Sequence, residues 1–343
     1  MNSFSFSIKK IVFISTFLFS IIPINKAQKV DPDYGYGVET DFYLVTTIPL
    51  IFSVISFLGT LYIFFRMFLR WKRSKRSIPL SFKFPFYIAI TDFLYSSAIL
   101  IEFAYTASNK TDFVKNNETN TWPYLFCEIL GFLIVFFVLL NIILVGAISI
   151  VTWLRVVREY YFEFGKYDYK IWLPIIFISL IIPLSTLNAY GSRGYSCGTK
   201  IGSDLVGIVV FVLIVVTLLT IIFCYVHVLK TIRDIQGHIP NSSIEAVRNS
   251  NVERRTFKKV LTYILVFILQ YIPILIYNIS MILRARHIIL DALSPAVICI
   301  GGIANVFQYL RNEGLKFSHT SSNNSSSYKL EVEERSDDTT QDA

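Results

Sequence analysis

The stretch YLFCEILGFLIVFFVLLNIILVGAISIVTWL, residues 124–154, decides the fold class of this chain. Its 31 residues include a single charged side chain, Glu128. About 20 apolar residues cross the roughly 30 Å hydrocarbon core of a bilayer as a helix, because in lipid only a helix satisfies its own backbone polar groups. The stretch is therefore predicted to span a membrane.

Six similar stretches flank it, and together they define seven spans. Of the 343 residues, 54% are hydrophobic and only 16% are charged, which excludes an ordinary soluble enzyme. The many aromatic residues exclude a disordered chain. We predict an all-α membrane protein, a seven-transmembrane helix bundle. We place the spans, first to seventh, at Phe42–Phe65, Phe84–Tyr105, Tyr124–Leu154, Ile171–Ala189, Leu205–Leu229, Val260–Leu283 and His287–Leu310.

Both chain ends are predicted to lie outside the bundle. The apolar run 11–24 follows Lys9 and Lys10 and precedes Ala27, the layout of a secretory signal peptide. We predict a signal peptide at 1–27 and an extracellular N-terminus at 28–41, with an uncleaved signal anchor as the alternative. The Ser-rich and acidic segment 311–343 is predicted to be a disordered cytoplasmic tail. Phosphorylation of its serines could recruit an arrestin-like regulator, and simple solvation is the alternative.

The basic residues predict the orientation. The first, third and fifth connections between spans contain 18 Lys and Arg residues, and the other three contain 6. Positively charged loops stay in the cytoplasm, so the N-terminus is predicted to lie outside. The net charge of +8 is therefore explained by the membrane orientation of the chain, and we do not predict a nucleic-acid partner from it. We expect a multi-pass protein of the plasma membrane.

Glycosylation sequons and cysteines agree with this orientation. Asn109 and Asn117 begin Asn-x-Thr sequons in the first outer loop and are predicted to be glycosylated. Cys127 opens the third span at its outer end, and Cys197 lies in the next outer loop. Because disulfides persist in oxidising compartments, we predict a Cys127–Cys197 bridge.

The bundle alone does not define a function, so embedded polar residues must be considered. The seventh span has no lysine that could form a retinal Schiff base. The four histidines are scattered along the chain, so we predict no metal site, no cofactor and no catalytic centre. An internal repeat typical of transporters is missing. A transporter or channel that uses Asp92 as its ion site nevertheless stays open as the alternative function.

Three polar residues are predicted to share one layer in the inner half of the bundle. Asp92 lies roughly 12 Å from the inner end of the second span, and Asn141 lies about 21 Å from the outer end of the third. Asn305 is in the inner half of the seventh span. They form either a hydrated or sodium-binding cluster that rearranges during function, or interhelical hydrogen bonds that only stabilise the bundle.

Nearer the outside, several polar and aromatic residues could line a pocket for a small extracellular ligand, or could instead be interfacial residues with their polar ends in water. These candidates are Glu102, Tyr105, Glu128, Phe132, Tyr271 and Asn278. The sixth span contains Gln270, Tyr271 and Pro273, and a proline within a helix removes a backbone hydrogen bond and favours a kink. We predict a helix pivot there.

Basic residues at the inner ends of the spans are candidates for a surface that docks a cytosolic partner. Topogenic charge is the alternative interpretation. The set comprises Arg155, Arg158, Arg254, Arg255, Lys258, Lys259 and, in the seventh span, Tyr309.

Seven spans, an outer N-terminus, and a cysteine that opens the third span with a partner in the next outer loop make the chain resemble the G-protein-coupled receptors. Within them, short motifs make it most similar to the cyclic-AMP-receptor-like group of slime moulds and fungi. The residues that carry this resemblance are Ala147-Ile148-Ser149-Ile150, Trp172 to Pro174, and Gly301-Gly302-Ile303-Ala304-Asn305 with Tyr309. The resemblance implies ligand-driven nucleotide exchange on a heterotrimeric G protein.

The chain is also similar to rhodopsin-like receptors in three places: Ala89-x-x-Asp92, Gln270 to Pro273, and Asn305 to Tyr309. The acidic-Arg-aromatic triplet that ends the third span of those receptors is missing here, and the nearest basic residues are Arg155 and Arg158. Cyclic AMP is not the expected ligand, because a phosphate needs a buried cation and the outer halves of the spans contain none. Only loop cations are available, namely Arg193, Lys200, Arg284 and Arg286.

Overall fold

In the residues that it describes, the structure, a computed structural model, is almost entirely helical, and its helices correspond to the predicted spans. It describes residues 39–73, 80–115, 122–123, 125–160, 164–165, 168–200, 204–238, 266–280, 282–283 and 287–312. The predicted signal peptide, the Asn117 sequon and the tail beyond residue 312 lie outside these ranges. So do the predicted docking residues Arg254, Arg255, Lys258 and Lys259.

Seven helices correspond to the seven spans. Within the described residues, five are long and apolar enough to cross a membrane, and the described parts of the fourth and sixth are shorter. Their bounds, in chain order, are Glu39–Arg73, Leu80–Ser108, Phe126–Val157, Tyr169–Ser185, Asp204–His238, Val266–Ser280 and Ile288–Asn312. The seven-helix membrane bundle is therefore confirmed.

Several bounds differ from the predicted ones. The first and second helices extend past the apolar cores of their spans, because charged residues such as Lys72 continue a helix readily outside the hydrocarbon. The fourth helix ends at Ser185, before the predicted Ala189, and a 3₁₀ turn at Leu187–Ala189 follows it. A short helix, Lys110–Lys115, follows the second span.

The third span lies at the centre of the bundle. It packs against the second, fourth and fifth spans, while the first span packs against the second and seventh. Its buried residues include Leu139, Asn141, Ile142 and Leu144. The fifth span, in contrast, exposes many large apolar side chains such as Leu219 and Phe223, as a lipid-facing helix does.

A β-hairpin lies at the end of the bundle that the charge pattern predicts to be outside. Strands β1 (Tyr190–Arg193) and β2 (Ser196–Thr199) pair antiparallel, with Ser192 opposite Cys197. The Cys127–Cys197 disulfide joins β2 to the start of the third span, as the sequence predicts. Cys224 and Cys299 are buried and unbridged. The hairpin is thereby tied to the helices that surround the outer half of the bundle.

Candidate functional site

Three polar side chains that the sequence placed in one layer, Asp92, Asn141 and Asn305, contact one another inside the bundle. Asn141 Nδ2 donates to Asp92 Oδ1 at 3.0 Å, and Asn305 Nδ2 donates to Asp92 Oδ2 at 2.8 Å. All three residues are buried. The carboxylate therefore joins the second, third and seventh spans, and hydrogen bonds to a charged group of this kind contribute about 1.5–3 kcal/mol each.

The sixth span joins this core through Tyr271. Its hydroxyl donates to Asn141 Oδ1 at 2.9 Å, and the Asn141 amide also donates to Thr91 Oγ1 at 2.9 Å. Tyr271 is fully buried. The four residues Tyr271, Asn141, Asp92 and Asn305 thus form one hydrogen-bonded chain through four spans, which we call the polar core.

Two glycines of the seventh span make room for the polar core and its neighbours. A Cβ on Gly301 would collide with the side-chain amide of Gln270, whose Nε2 donates to the Ile298 carbonyl at 3.3 Å. A Cβ on Gly302 would collide with Ser56 Oγ and lie 3.3 Å from Asp92 Cβ. Small residues let helices approach closely in lipid, and here they admit polar side chains between the helices.

On the hairpin side of the polar core, which the charge pattern predicts to be the outer side, lies a cavity of about 150 Å³ that we call the outer cavity. The second, third, fifth, sixth and seventh spans and the hairpin all contribute to its wall. Apolar residues such as Val138 and Ile274 form the side nearest the polar core, and the hairpin covers the opposite side. An apolar chamber with a few polar groups, placed between helices, is the usual form of a small-molecule site.

The structure places two of the six predicted pocket residues in the cavity wall, Glu102 and Asn278. Tyr105 stacks on Trp122, 5.1 Å between ring centroids, and Phe132 packs edge-to-face against Tyr190 at 5.9 Å. Neither contributes to the wall. The prediction was wrong for these two because depth along a helix does not reveal the direction in which a side chain points.

Two other predicted pocket residues also lie elsewhere. Glu128, in the first turn of the third span, is partly exposed and is not part of the cavity wall. Tyr271 belongs to the polar core, one helical turn deeper than the wall residue Ile274. Its role is therefore to connect the sixth span to the core.

Sequence reasoning did not include Arg193 among the pocket residues, because it treated it as a loop cation. In the structure Arg193 is buried, lines the cavity, and places its guanidinium 5.1 Å from the centre of the Tyr277 ring. Tyr95, Tyr277 and Asp291 also line the cavity and were not predicted. The predicted disulfide could have indicated that Arg193 lines the cavity. A bridge at Cys197 holds the segment around it against the bundle, and Arg193 lies in that segment.

The hairpin is held over the cavity by polar contacts as well as by the disulfide. The backbone N–H of Cys197 donates to Glu102 Oε1, and Thr106 Oγ1 donates to the Tyr195 carbonyl at 3.1 Å. The Tyr190 hydroxyl lies 3.0 Å from Thr186 Oγ1, and burial raises the pKa of this phenol. These contacts stiffen the cover of the cavity.

The hairpin also approaches the third span at Gly131, which yields a prediction. A Cβ at this position would lie 2.9 Å from the carbonyl oxygen of Gly198, a backbone atom that cannot rotate away. We expect Gly131→Ala to displace β2 and to destabilise the protein by about 1–3 kcal/mol, measured as a lower Tm of the purified protein.

Gly146→Ala, on the same helix, is the control. Its Cβ would meet the side chain of Thr217, with the methyl at 3.3 Å and the hydroxyl at 3.9 Å, and no backbone atom. Alanine favours a helix over glycine by roughly 1 kcal/mol. A Tm for Gly131→Ala as high as that of Gly146→Ala would show that the hairpin does not rest on the third span.

At the end of the bundle opposite the hairpin, which the charge pattern predicts to be the inner end, an ion pair fixes the loop between the third and fourth spans. Lys83 Nζ lies 2.8 Å from Asp168 Oδ2, and the Tyr87 hydroxyl donates to the same carboxylate. Asp168 is buried and has the left-handed φ of 57° that Asp tolerates better than most residues. Neither Lys83 nor Asp168 was singled out from the sequence.

Three predicted docking residues lie in the described part of the inner end. The guanidinium of Arg155 lies 5.6 Å from the Phe164 ring, and that of Arg158 lies 5.6 Å from the Trp153 ring. Tyr309 is fully buried and belongs to a cluster with Ile63, Met67 and Ala89. The prediction that Tyr309 faces a partner is thus wrong for this structure, because the side chain points into the bundle.

The structure is thus a seven-helix membrane bundle with a disulfide-tethered hairpin over a cavity. Residues 67–307 match the family model described as 7 transmembrane receptor (rhodopsin family), which covers over two thirds of the chain. The protein therefore belongs to the rhodopsin family of seven-transmembrane receptors. No curated protein matches the sequence significantly.

A solved structure agrees with this fold. The chain is similar to the crystal structure of squid rhodopsin with a TM-score of 0.64, over 83% of this chain and 87% of that chain. Sequence identity is 16%, so the likeness concerns the fold. None of these comparisons adds support for the cyclic-AMP-receptor-like group, and that finer resemblance stays a prediction.

Proposed function

We propose that this protein is a plasma-membrane receptor that binds a small extracellular ligand in the outer cavity and activates a heterotrimeric G protein. The ligand shifts the equilibrium between resting and active bundles, and the sixth span moves outward at its inner end. Membership of the rhodopsin family and the rhodopsin-like fold support this proposal.

The observation that carries the proposal is how close the cavity lies to the polar core. In each of three spans, a residue of the cavity wall lies about one helical turn from a residue of the polar core. Tyr95 lines the cavity three positions from Asp92, Val138 three positions from Asn141, and Ile274 three positions from Tyr271. A ligand that presses on these wall residues acts directly on the helices joined by the polar core.

The sixth span has the features of a moving element. Pro273 lacks an N–H, so the Leu269 carbonyl has no donor at the position where a helix normally supplies one. The hydrogen bond from the Tyr271 hydroxyl to Asn141 connects this weakened segment to the third span. We propose that breaking this bond allows the helix to pivot.

The proposed docking surface for the G protein is the inner end of the bundle. Arg155 and Arg158 contribute to it from the third span, and the basic residues 254, 255, 258 and 259 are proposed to extend it beyond the sixth. The Lys83–Asp168 ion pair would hold the neighbouring loop in place. A phosphorylated tail and an arrestin-like regulator remain part of the proposal, as do the signal peptide and the sodium-binding interpretation of Asp92.

The test removes the proposed restraint and needs no ligand. Tyr271→Phe deletes the hydroxyl that bonds Asn141 but keeps the ring. A net contribution of about 0.5–1.5 kcal/mol for that bond predicts that the active fraction, and hence basal GTPγS loading of purified G protein heterotrimers by receptor membranes, rises roughly 2- to 10-fold.

Tyr62→Phe is the matched control, because Tyr62 lies on the exposed face of the first span. It should leave exchange at the wild-type level. If neither wild type nor Tyr271→Phe promotes exchange on any heterotrimer, while vesicles containing the protein move a solute in an Asp92-dependent way, the transporter alternative replaces the receptor.

A further inference from the structure

The wall of the outer cavity has an excess of negative charge. Among its described residues, those with a formal charge are Glu102 and Asp291, which are carboxylates, and Arg193, which is a guanidinium, so the net formal charge is −1. Lys and His are absent among the described residues of the wall. An anionic ligand would thus meet two carboxylates for one guanidinium, whereas a cation would be attracted.

The carboxylate of Glu102 can accept more hydrogen bonds than it does in this structure. It is 1% exposed and lies on the second span, where it accepts the backbone N–H of Cys197 on Oε1. Among the described residues, the Glu102 carboxylate accepts this one hydrogen bond, although a carboxylate can accept about four. Burying such a group without a positive partner is costly, so a ligand that supplies one gains affinity.

The rest of the wall fits an aromatic or alkyl amine. Tyr95, Phe103 and Tyr277 place aromatic side chains around the chamber. Aromatic faces attract organic cations as well as rings. The volume of about 150 Å³ corresponds to a cavity that holds one benzene-sized ring.

We propose that the cavity binds a small organic cation, a protonated amine on a ring-sized apolar group, with Glu102 as its counter-ion. This inference rests on the proposed function, since it assigns a ligand class to the receptor cavity. The ammonium would donate to the free Oε2 of Glu102, and the apolar group would occupy the space between Phe103 and Ile134.

The test compares three probes of one size and different charge on the full-length protein in lipid nanodiscs. Benzylamine is a cation at pH 7, benzamide is neutral, and benzoate is an anion. Benzylamine should raise the Tm in a saturable way, and the other two at equal concentration should raise it less. Glu102→Gln should weaken the apparent benzylamine affinity roughly 10- to 100-fold, the usual effect of losing a charged hydrogen-bond partner.

Glutamine suits this substitution because its amide oxygen can still accept the Cys197 N–H and keep the hairpin in place. Glu128→Gln is the matched control, a glutamate at the outer end that lies outside the cavity wall, and it should leave benzylamine binding unchanged. If Glu102→Gln does not fold, the ranking of the three probes on the wild-type protein decides.

Benzamide or benzoate ranking first, no stabilisation by benzylamine, or equal benzylamine affinity in Glu102→Gln would each overturn the assignment. The Tm is measured without a G protein. Failure of nucleotide exchange would therefore contradict the proposed function alone, and failure of benzylamine would contradict the ligand class alone.

Discussion

Replacing Cys197 with serine is expected to remove most of the folded protein from the cell surface. The disulfide closes a loop with a sequence separation of 70, and a cross-link over such a loop stabilises a folded chain by roughly 4 kcal/mol. Proteins are typically stable by only about 5–15 kcal/mol, so this loss is large. Antibody labelling of an outer epitope tag on intact cells, normalised to total protein, measures it.

Three further variants make this test specific. Cys127→Ser should match Cys197→Ser, and the double variant should be no worse than either, because each removes the same bond. Cys224→Ser is the control, since Cys224 is buried in the fifth span without a bridge. If Cys197→Ser reached the surface at the level of Cys224→Ser, the hairpin would not depend on the disulfide.

Asp92→Ala is expected to produce the second large loss, in the stability of the bundle itself. The substitution leaves the Asn141 and Asn305 amides without the oxygens to which they donate at 3.0 and 2.8 Å. An unsatisfied buried donor costs about 1–3 kcal/mol, and relief of the buried charge offsets part of the sum. We expect a net loss of about 2 kcal/mol, measured as a lower Tm in detergent.

Asp92→Asn should lose less, because its amide oxygen still accepts one of the two hydrogen bonds. Glu159→Ala, at an exposed position just after the third helix, should stay within about 0.5 kcal/mol of wild type. A Tm for Asp92→Ala at or above that of wild type would mean that burying the carboxylate costs more than its hydrogen bonds return.

The spans and the polar core show how far sequence reasoning reaches in a membrane protein. Apolar length alone locates seven helices, because lipid permits few other arrangements of the backbone. The rise of 1.5 Å per residue converts position into depth, and depth placed Asp92, Asn141 and Asn305 in one layer, where the structure brings them into contact. Polar side chains at that depth need hydrogen-bond partners, and here Asn141 and Asn305 both donate to Asp92.

The cavity shows where this reasoning fails. Tyr105, Glu128 and Phe132 have suitable depths, but they face aromatic neighbours or the outer surface. Rotation of a helix about its axis depends on its packing partners, and a uniformly apolar helix contains little information about them. Tyr309 was assigned to the docking surface for the same reason, although it is buried.

By itself, the sequence determined the number of spans, their depth, the disulfide pair and the polar residues that had to meet, because the bilayer constrains length and polarity along one axis. Only the tertiary structure decided which side chains face the cavity and that Arg193 is among them. It also decided that the buried Glu102 carboxylate in the cavity wall accepts a hydrogen bond from the Cys197 N–H and can still accept others. These features depend on helix rotation and loop path, which arise from contacts between distant residues.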